Sequence, residues 1–362
     1  MGDSVSLLYT QKKEVNSNVC SLKTRLKINT AIKSNSRMQR HNQSYVGVTT
    51  FTTNYLMRNF QIVMTMCNNE NPFEGLIINE DSLLYNLEGR YPCPKCNKSR
   101  KYFCYTCYVP VSELAGKLPN VKLPLKIDII KHKHEIDGKS TAAHAAVLAS
   151  EDVNVYTYPD IPEYDVNNAV LIYPSFDSIS IDQLFGECYK RIDNALPKGY
   201  NKTTLLTTHS LSLNSGDYKI NRFKETNVLP IQKAVFIDST WNQSKGIYKD
   251  VRINSLRSVV VQQRISQFWR HHKGSPRWYL STVEAIHQFL VEFHLNMWGL
   301  NSEYKGLKNC FAEKTLHHLV IRNENAYNGQ YDNLLFFFKH MYKLIHTYYD
   351  HEMLYAYKRR LT

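Results

Sequence analysis

The 362-residue sequence predicts an α/β fold, a mostly parallel sheet with helices on both faces. Two observations carry that expectation. Short apolar runs, often β-branched, recur from residue 125 onward, and stretches with helical spacing lie between or after them. Near-continuous apolar runs belong to strands covered on both faces, as parallel strands are, and their alternation with helices marks the α/β class. Composition agrees, because 43% hydrophobic and 21% charged residues support a core and exclude a wholly disordered or collagen-like chain.

The runs at 125–130, 153–158, 169–173, 234–237 and 258–261 read as strands. Helices are expected at 140–149, 179–192 and 281–298. In the last of these, Val283, Ile286, Leu290 and Phe293 fall at helical spacing behind Ser281 as N-cap and Glu284 at the third helical position, a capping box. Residues 331–350, rich in Leu, Phe and Tyr with Lys339 and Lys343, read as a terminal helix, and no internal repeat is visible.

Three regions follow: a disordered basic tail at 1–60, a cysteine module at 85–115 and a catalytic-sized domain at 116–350 that includes the terminal helix. The tail holds nine Lys and Arg against Asp3 and Glu14, with no sustained apolar period. A nucleic-acid arm, a nuclear import signal, a transit peptide and a solvated linker all fit such a tail. The whole chain sets 45 Lys and Arg against 32 Asp and Glu, a net charge of +13. There is no run of ~20 apolar residues and no signal-peptide core at the N-terminus, so neither a membrane span nor secretion is expected and the protein should work inside the cell.

Cys93-Pro-Lys-Cys96, seven residues, then Cys104-Tyr-Thr-Cys107 supply two thiolate pairs on two short knuckles. A four-thiolate set of this kind closes a tetrahedral structural zinc site, with no position left to activate water. Lys98, Arg100 and Lys101 lie between the knuckles beside Tyr102 and Phe103, a pattern suited to phosphate contact and base stacking, or to a solvated loop. Arg264, Arg270, Lys273 and Arg277, near Trp269 and Trp278, form a second basic run that fits either an RNA backbone track or an ordinary charged face.

The expected strand at 234–237 ends in Asp238-Ser239-Thr240-Trp241, and ligands in open α/β sheets bind at the carboxyl ends of strands. Taken alone, such a run is equally at home as a helix cap. Gly138-Lys139-Ser140 is not a phosphate-binding loop, because Lys133 stands where that loop needs its first glycine. His132, His134, His271 and His272 read as surface histidines, in basic surroundings without a carboxylate partner motif.

Asp238-Ser239-Thr240-Trp241 resembles the Asp-x-Thr-Trp signature of the DTW-domain family, and further blocks match in order. Residues 93–110 (CPKCNKSRKYFCYTCYVP) look like the family's cysteine-rich opening in its two-pair eukaryotic form. Gly138-Lys139-Ser140-Thr141, residues 171–175, Phe268-Trp269-Arg270-His271 and residues 279–285 (YLSTVEA) resemble its later blocks. The likeness covers about residues 90–345, while residues 301–325 look like an insertion and the tail has no counterpart.

The resemblance implies a SPOUT-like α/β fold with a knotted pocket for S-adenosylmethionine. It also implies an enzyme that moves the 3-amino-3-carboxypropyl group, rather than the methyl, to N3 of a D-loop uridine in tRNA. A nuclear location, with the cytoplasm as alternative, and a homodimer, as in many knotted enzymes, are expected on the same footing. Transfer to N3 needs a base and close orientation, and Asp238 is the candidate base or else a donor-binding residue. Trp241 offers a stacking wall or is a core ring. Ser281, Thr282 and Glu284 either present hydroxyls and helix-start N–H groups to the donor's carboxylate or simply cap the helix. Pro174, Ser175, Ser239 and Thr240 complete the expected donor pocket by family position. A SPOUT-like tRNA methyltransferase and a non-catalytic zinc-ribbon tRNA-binding protein are the rival readings.

Overall fold

In a computed structural model, the described residues are 71–195, 229–271, 274–308, 310–311, 320 and 324–359. The expected tail, His272 and Lys273 lie outside them. Strands β1 (Tyr91–Pro92) and β2 (Ser99–Arg100) pair antiparallel, as do β3 (Phe103–Cys104) and β4 (Val109–Pro110), so each cysteine knuckle sits on its own short hairpin. They follow a single helical turn, α1 (Ser82–Tyr85).

Six parallel strands form the main sheet: β5 (Lys126–Lys131), β6 (Val153–Thr157), β7 (Ala169–Ile172), β8 (Ile179–Ser180), β9 (Lys233–Asp238) and β10 (Arg257–Val260). Their spatial order is β6-β5-β9-β7-β10-β8, so β9 and β10 each enter between strands that precede them in the chain. The register sets Ile129 beside Phe236, and Phe236 beside Ile172. Each run read as a strand is a strand, and its alternate residues divide between two cores. Ile127, Ile129, Val170, Ala234, Phe236 and Val259 face one side, and Ile130, Ala169, Leu171 and Val235 face the other, the period of two that a doubly covered sheet requires.

Helices α2 (Ala142–Leu148), α3 (Ile181–Ala195), α6 (Thr282–Trp298) and α7 (Phe336–Tyr348) supply the first core. The short α4 (Trp241–Tyr248) and α5 (Val251–Asn254) cover the second through Ile247 and Ile253. Sequence reasoning did not resolve β8 or α4: the first is two residues long, and the second carries little apolar periodicity. The opening of α6 matches its expected capping box, with Ser281 as N-cap and Glu284 bonded back to the Ser281 N–H. Buried along almost its whole length, α6 is the central helix. The stretch after it contributes Tyr304, Leu307, Cys310 and Phe311 to the first core, so its described part is integral to the fold.

Candidate functional site

Because the sheet is parallel, β5, β9, β7 and β10 all end at one edge, with β9 in the middle. Asp238 is its last residue, and the chain then turns through Ser239 into α4. Thr240 caps that helix, its N–H donating to Gln243 Oε1 at 3.0 Å. The capping reading therefore holds for Thr240, whereas Asp238 has a different task. It is only 4% exposed, and both of its oxygens are engaged by hydroxyls from other segments. Ser140 Oγ donates to Oδ2 at 2.7 Å and Thr282 Oγ1 donates to Oδ1 at 2.6 Å. Ser140 Oγ also accepts from the Ala142 N–H at the start of α2, and Thr141 Oγ1 accepts from the Val283 N–H in α6. One carboxylate thus fastens the end of β9 to the first turns of two helices.

Burial pushes the Asp238 carboxyl above its ordinary value, against the pull of Thr282, Ser140 and Lys131 in the opposite direction. Glu135, half-buried on the loop after β5, is also raised, by burial and by the Asp238 charge. Sequence reasoning missed Glu135. Its position on an unremarkable loop gives no signal until β5 and β9 are seen to be neighbours, with Lys131 opposite Asp238.

Glu284 turns its carboxylate to protein donors. Its Oε2 accepts from the Ser281 N–H and hydroxyl and from Ser266 Oγ, and its Oε1 accepts from the Gln267 N–H, all in a buried setting. With these four donors around it, Glu284 braces the 266–267 turn against α6. Ser281 belongs to the same brace, so capping accounts for Ser281 and Glu284, whereas the Thr282 hydroxyl is committed to Asp238. Ser175 gives its hydroxyl to Asp177 at 2.7 Å in the turn after β7, where Pro174 is exposed. Ser239 donates to the Thr240 carbonyl.

Aromatic rings line the same edge. Trp241, 37% exposed, lies 4.4 Å from Tyr279 and 6.2 Å from Tyr173 between ring centroids, and Tyr173 stacks on Tyr248 at 4.8 Å. Trp241 is thus not a core tryptophan.

The cysteine ligands converge as their spacing requires, with the sulfurs of Cys93, Cys96, Cys104 and Cys107 within 4.8 Å of one another. Both knuckles have one geometry: the N–H groups of Asn97 and Tyr108 donate to the carbonyls of Cys93 and Cys104, and Asn97 and Tyr108 take φ of 56° and 54°. The left-handed region is costly for a tyrosine and is held by the knuckle's own hydrogen bonds. Cys96 and Cys104 sulfurs stand 3.7 Å apart, close to the ~3.8 Å edge of a tetrahedron whose metal–sulfur bonds are ~2.3 Å. Burial opposes ionisation of Cys104, yet the Arg100 guanidinium and nearby backbone N–H groups outweigh it and lower the thiol to about 6. The donor set fits a thiophilic dication. This is the one metal-ligating cluster among the described residues; His132 and His134 lie beside each other, and His271 packs on Tyr355.

Of the residues expected to contact RNA, Arg100 and Arg264 are buried and occupied. Arg100 donates to Cys104 Sγ and its guanidinium lies 3.9 Å from the centre of the Tyr105 ring, so it serves the thiolates. Arg264 donates to Cys310 Sγ and the Glu284 carbonyl. Alternation of cations with rings in sequence does not distinguish an arginine aimed inward from one aimed outward, and these two are withdrawn from the RNA surface. Arg277 lies against the Tyr357 ring, Arg270 is half-buried, and Lys98 and Lys101 are exposed.

Comparison with known proteins bears on what this edge does. The DTW-domain family model matches residues 101–346. The chain belongs to the DTW-domain family. It is 40% identical over 283 residues to the Xenopus laevis protein named tRNA-uridine aminocarboxypropyltransferase 1, covering 74% of this chain and 88% of that one. The human and mouse proteins of the same name are 41% and 40% identical over 285 and 284 residues, each covering 76% of this chain and 84% of theirs. No solved structure matches it significantly.

Within the DTW domain the sequence blocks meet physically. Tyr105, between the second pair of cysteines, lies over Gly138, where a Cβ would come within 3.5 Å of the ring. Thr106 Oγ1 donates to Asp137 Oδ2 at 3.1 Å, and Asp137 pairs with Lys131. Arg270 donates to the Gly138 carbonyl. The cysteine module and the 268–271 block therefore both hold the loop that delivers Ser140 to Asp238.

Proposed function

We propose that this chain is a tRNA-uridine aminocarboxypropyltransferase that moves the 3-amino-3-carboxypropyl group of S-adenosylmethionine to N3 of a D-loop uridine. The observation that carries the reading is the convergence of Ser140, Asp238 and Thr282, from three separate family blocks, on one carboxylate at the carboxyl edge of the sheet. Relatives named for this activity align over most of the chain, and the +13 charge suits a polyanionic substrate. The entry of β9 and β10 between earlier strands supports a SPOUT-like, knotted path, with which a homodimer would be consistent.

The donor, when bound, supplies a carbon next to a sulfonium that uridine N3 attacks as its proton leaves, the carbon–sulfur bond breaking to release methylthioadenosine. Chemistry at this edge suits such a donor: Trp241 and Tyr279 offer faces to an adenine, and Pro174, Ser175, Ser239 and Thr240 frame the adjoining turns. Asp238 is the proposed proton acceptor, oriented by its two hydroxyl partners and made more basic by burial. Its slight exposure favours a second reading, in which Asp238 orients the site and the more accessible Glu135 takes the proton. The four cysteines would hold a structural zinc ion. Lys98, Lys101, Arg270 and Arg277 are the proposed RNA-facing cations, and the basic tail supports a nuclear location.

The test is incubation of purified protein with unmodified tRNA and donor labelled separately on the methyl and carboxypropyl carbons, followed by nucleoside mass analysis. Carboxypropyl label in uridine supports the reading. Methyl label replaces it with a methyltransferase, and tRNA binding without transfer of either label replaces it with a binding protein. Asp238→Asn and Glu135→Gln in single-turnover assays separate the two proton acceptors, since the variant lacking the true base loses the ascending, acid-side limb of the pH–rate profile.

A further inference from the structure

The aromatic row at the carboxyl edge runs past the residues that the proposed chemistry uses. From Trp241 it continues through Tyr173 to Tyr248, whose rings are parallel within 17°. Three residues after Tyr173, the Phe176 side chain is wholly exposed, whereas Phe185, Phe236 and Phe268 are buried. Phe176 does not sit on a loose loop. Ser175 Oγ donates to Asp177, and the Ser178 hydroxyl and N–H both donate to the Ser175 carbonyl, fixing the turn that carries the ring. On α4, Lys245 lies one helical turn from Trp241 and Lys249 directly follows Tyr248, both exposed. Aromatic faces interleaved with exposed cations suit single-stranded nucleic acid, in which bases stack on rings and phosphates meet ammonium groups.

The proposed chemistry also requires such a surface. Uridine N3 lies on the pairing edge of the base, so an enzyme reaching it needs the base unpaired, and drawing that base into a pocket leaves a gap in the stack to be stabilised. Apolar side chains inserted between bases perform that task in other nucleic-acid complexes. We propose that Tyr173, Tyr248, Lys245 and Lys249 form a track for unstacked nucleotides flanking the target uridine, and that Phe176 is the wedge that fills the vacated stacking position. This rests on the proposed RNA substrate and extends it to residues outside the donor site.

The experiment uses full-length protein and tRNA carrying 2-aminopurine beside each D-loop uridine in turn, without donor, so that unstacking is read apart from transfer. Parent protein should raise 2-aminopurine fluorescence at one position. Phe176→Ala should abolish that rise and weaken tRNA binding roughly five- to hundredfold, while Phe176→Trp restores both. Lys245→Ala/Lys249→Ala should weaken binding and lower its salt dependence without removing the fluorescence rise. Melting temperature and zinc content report that each variant is folded. A Phe176→Ala variant that binds and unstacks tRNA like the parent overturns the proposal. Unstacking by parent protein that then transfers nothing would leave the track standing and overturn the transferase reading, so the two failures are distinguishable.

Discussion

Thr282→Val removes one hydroxyl from a buried carboxylate and changes almost nothing else, since valine matches threonine in shape. Thr282 Oγ1 gives Asp238 its shorter hydrogen bond, 2.6 Å, and among the described residues Ser140 is its other hydroxyl donor. A hydrogen bond to a charged group contributes about 1.5–3 kcal/mol, which in a domain of this size lowers the melting temperature by about 3–6 °C. The loss should depend on pH. Asp238 already titrates above its ordinary value, and losing a donor raises it further. A carboxyl raised by folding adds stability while protonated, and that contribution is lost as pH rises through its folded value. The deficit of the variant should therefore be largest at the alkaline end of a pH series, where ionisation of Asp238 is most complete, and shrink toward acid pH. Differential scanning fluorimetry across that range reads it, with Thr282→Ser retaining the bond and falling within about 1 kcal/mol of the parent. An unchanged melting temperature at alkaline pH, or a deficit that does not grow with pH across the series, would refute the argument that Thr282 supports an ionised Asp238.

Asp238→Asn should melt at or above the parent temperature at pH 8, because burial disfavours the charge it removes, while carboxypropyl transfer falls at least ~100-fold; a large loss of both would make Asp238 a folding residue. Glu292, buried in α6 and raised to about 8 by burial against donors from Gln288 and the Gln262 N–H, should make the parent lose stability as pH climbs from about 4.5 through 8. Glu292→Gln should flatten that decline between about pH 5 and 8 in denaturant titrations, and parallel curves for the two proteins would contradict it. Cys104→Ser should reduce bound zinc from one equivalent to well under half by native mass spectrometry, with chelation of the parent giving the same lowered melting temperature.

How much of this was legible beforehand divides along one physical line. The sheet was readable because burial on both faces writes near-continuous apolar runs into β5, β7 and β9, and α6 was readable because its cap has a local signature in Ser281 and Glu284. The cysteine cluster was readable for the same reason, since each knuckle is a closed local device. What sequence did not reveal was direction. Arg100 and Lys101 are neighbours in the chain, yet one turns inward to a thiolate and the other outward to solvent. Ser281, Thr282 and Glu284 read equally as a donor-facing set or as a helix cap, and only the fold shows that Glu284 serves the 266–267 turn and Thr282 serves Asp238.

The contacts that assemble the site all join residues far apart in sequence, and this bears on why the module of cysteines belongs to the domain at all. Thr106 reaches Asp137 from the second knuckle, Tyr105 covers Gly138, and Arg270 donates to the carbonyl of Gly138, so the loop before Ser140 is held on two sides. At the module's far side, Tyr102 and Asp81 are bonded to the two nitrogens of the buried His340 in α7. A hydroxyl that must meet a carboxylate within hydrogen-bond range gains nothing from its own loop's sequence unless that loop is pinned, and here much of the pinning comes from the hairpins. A metal ion held by the four cysteines, with no open coordination position, would in this way set the geometry of a site to which it contributes no ligand.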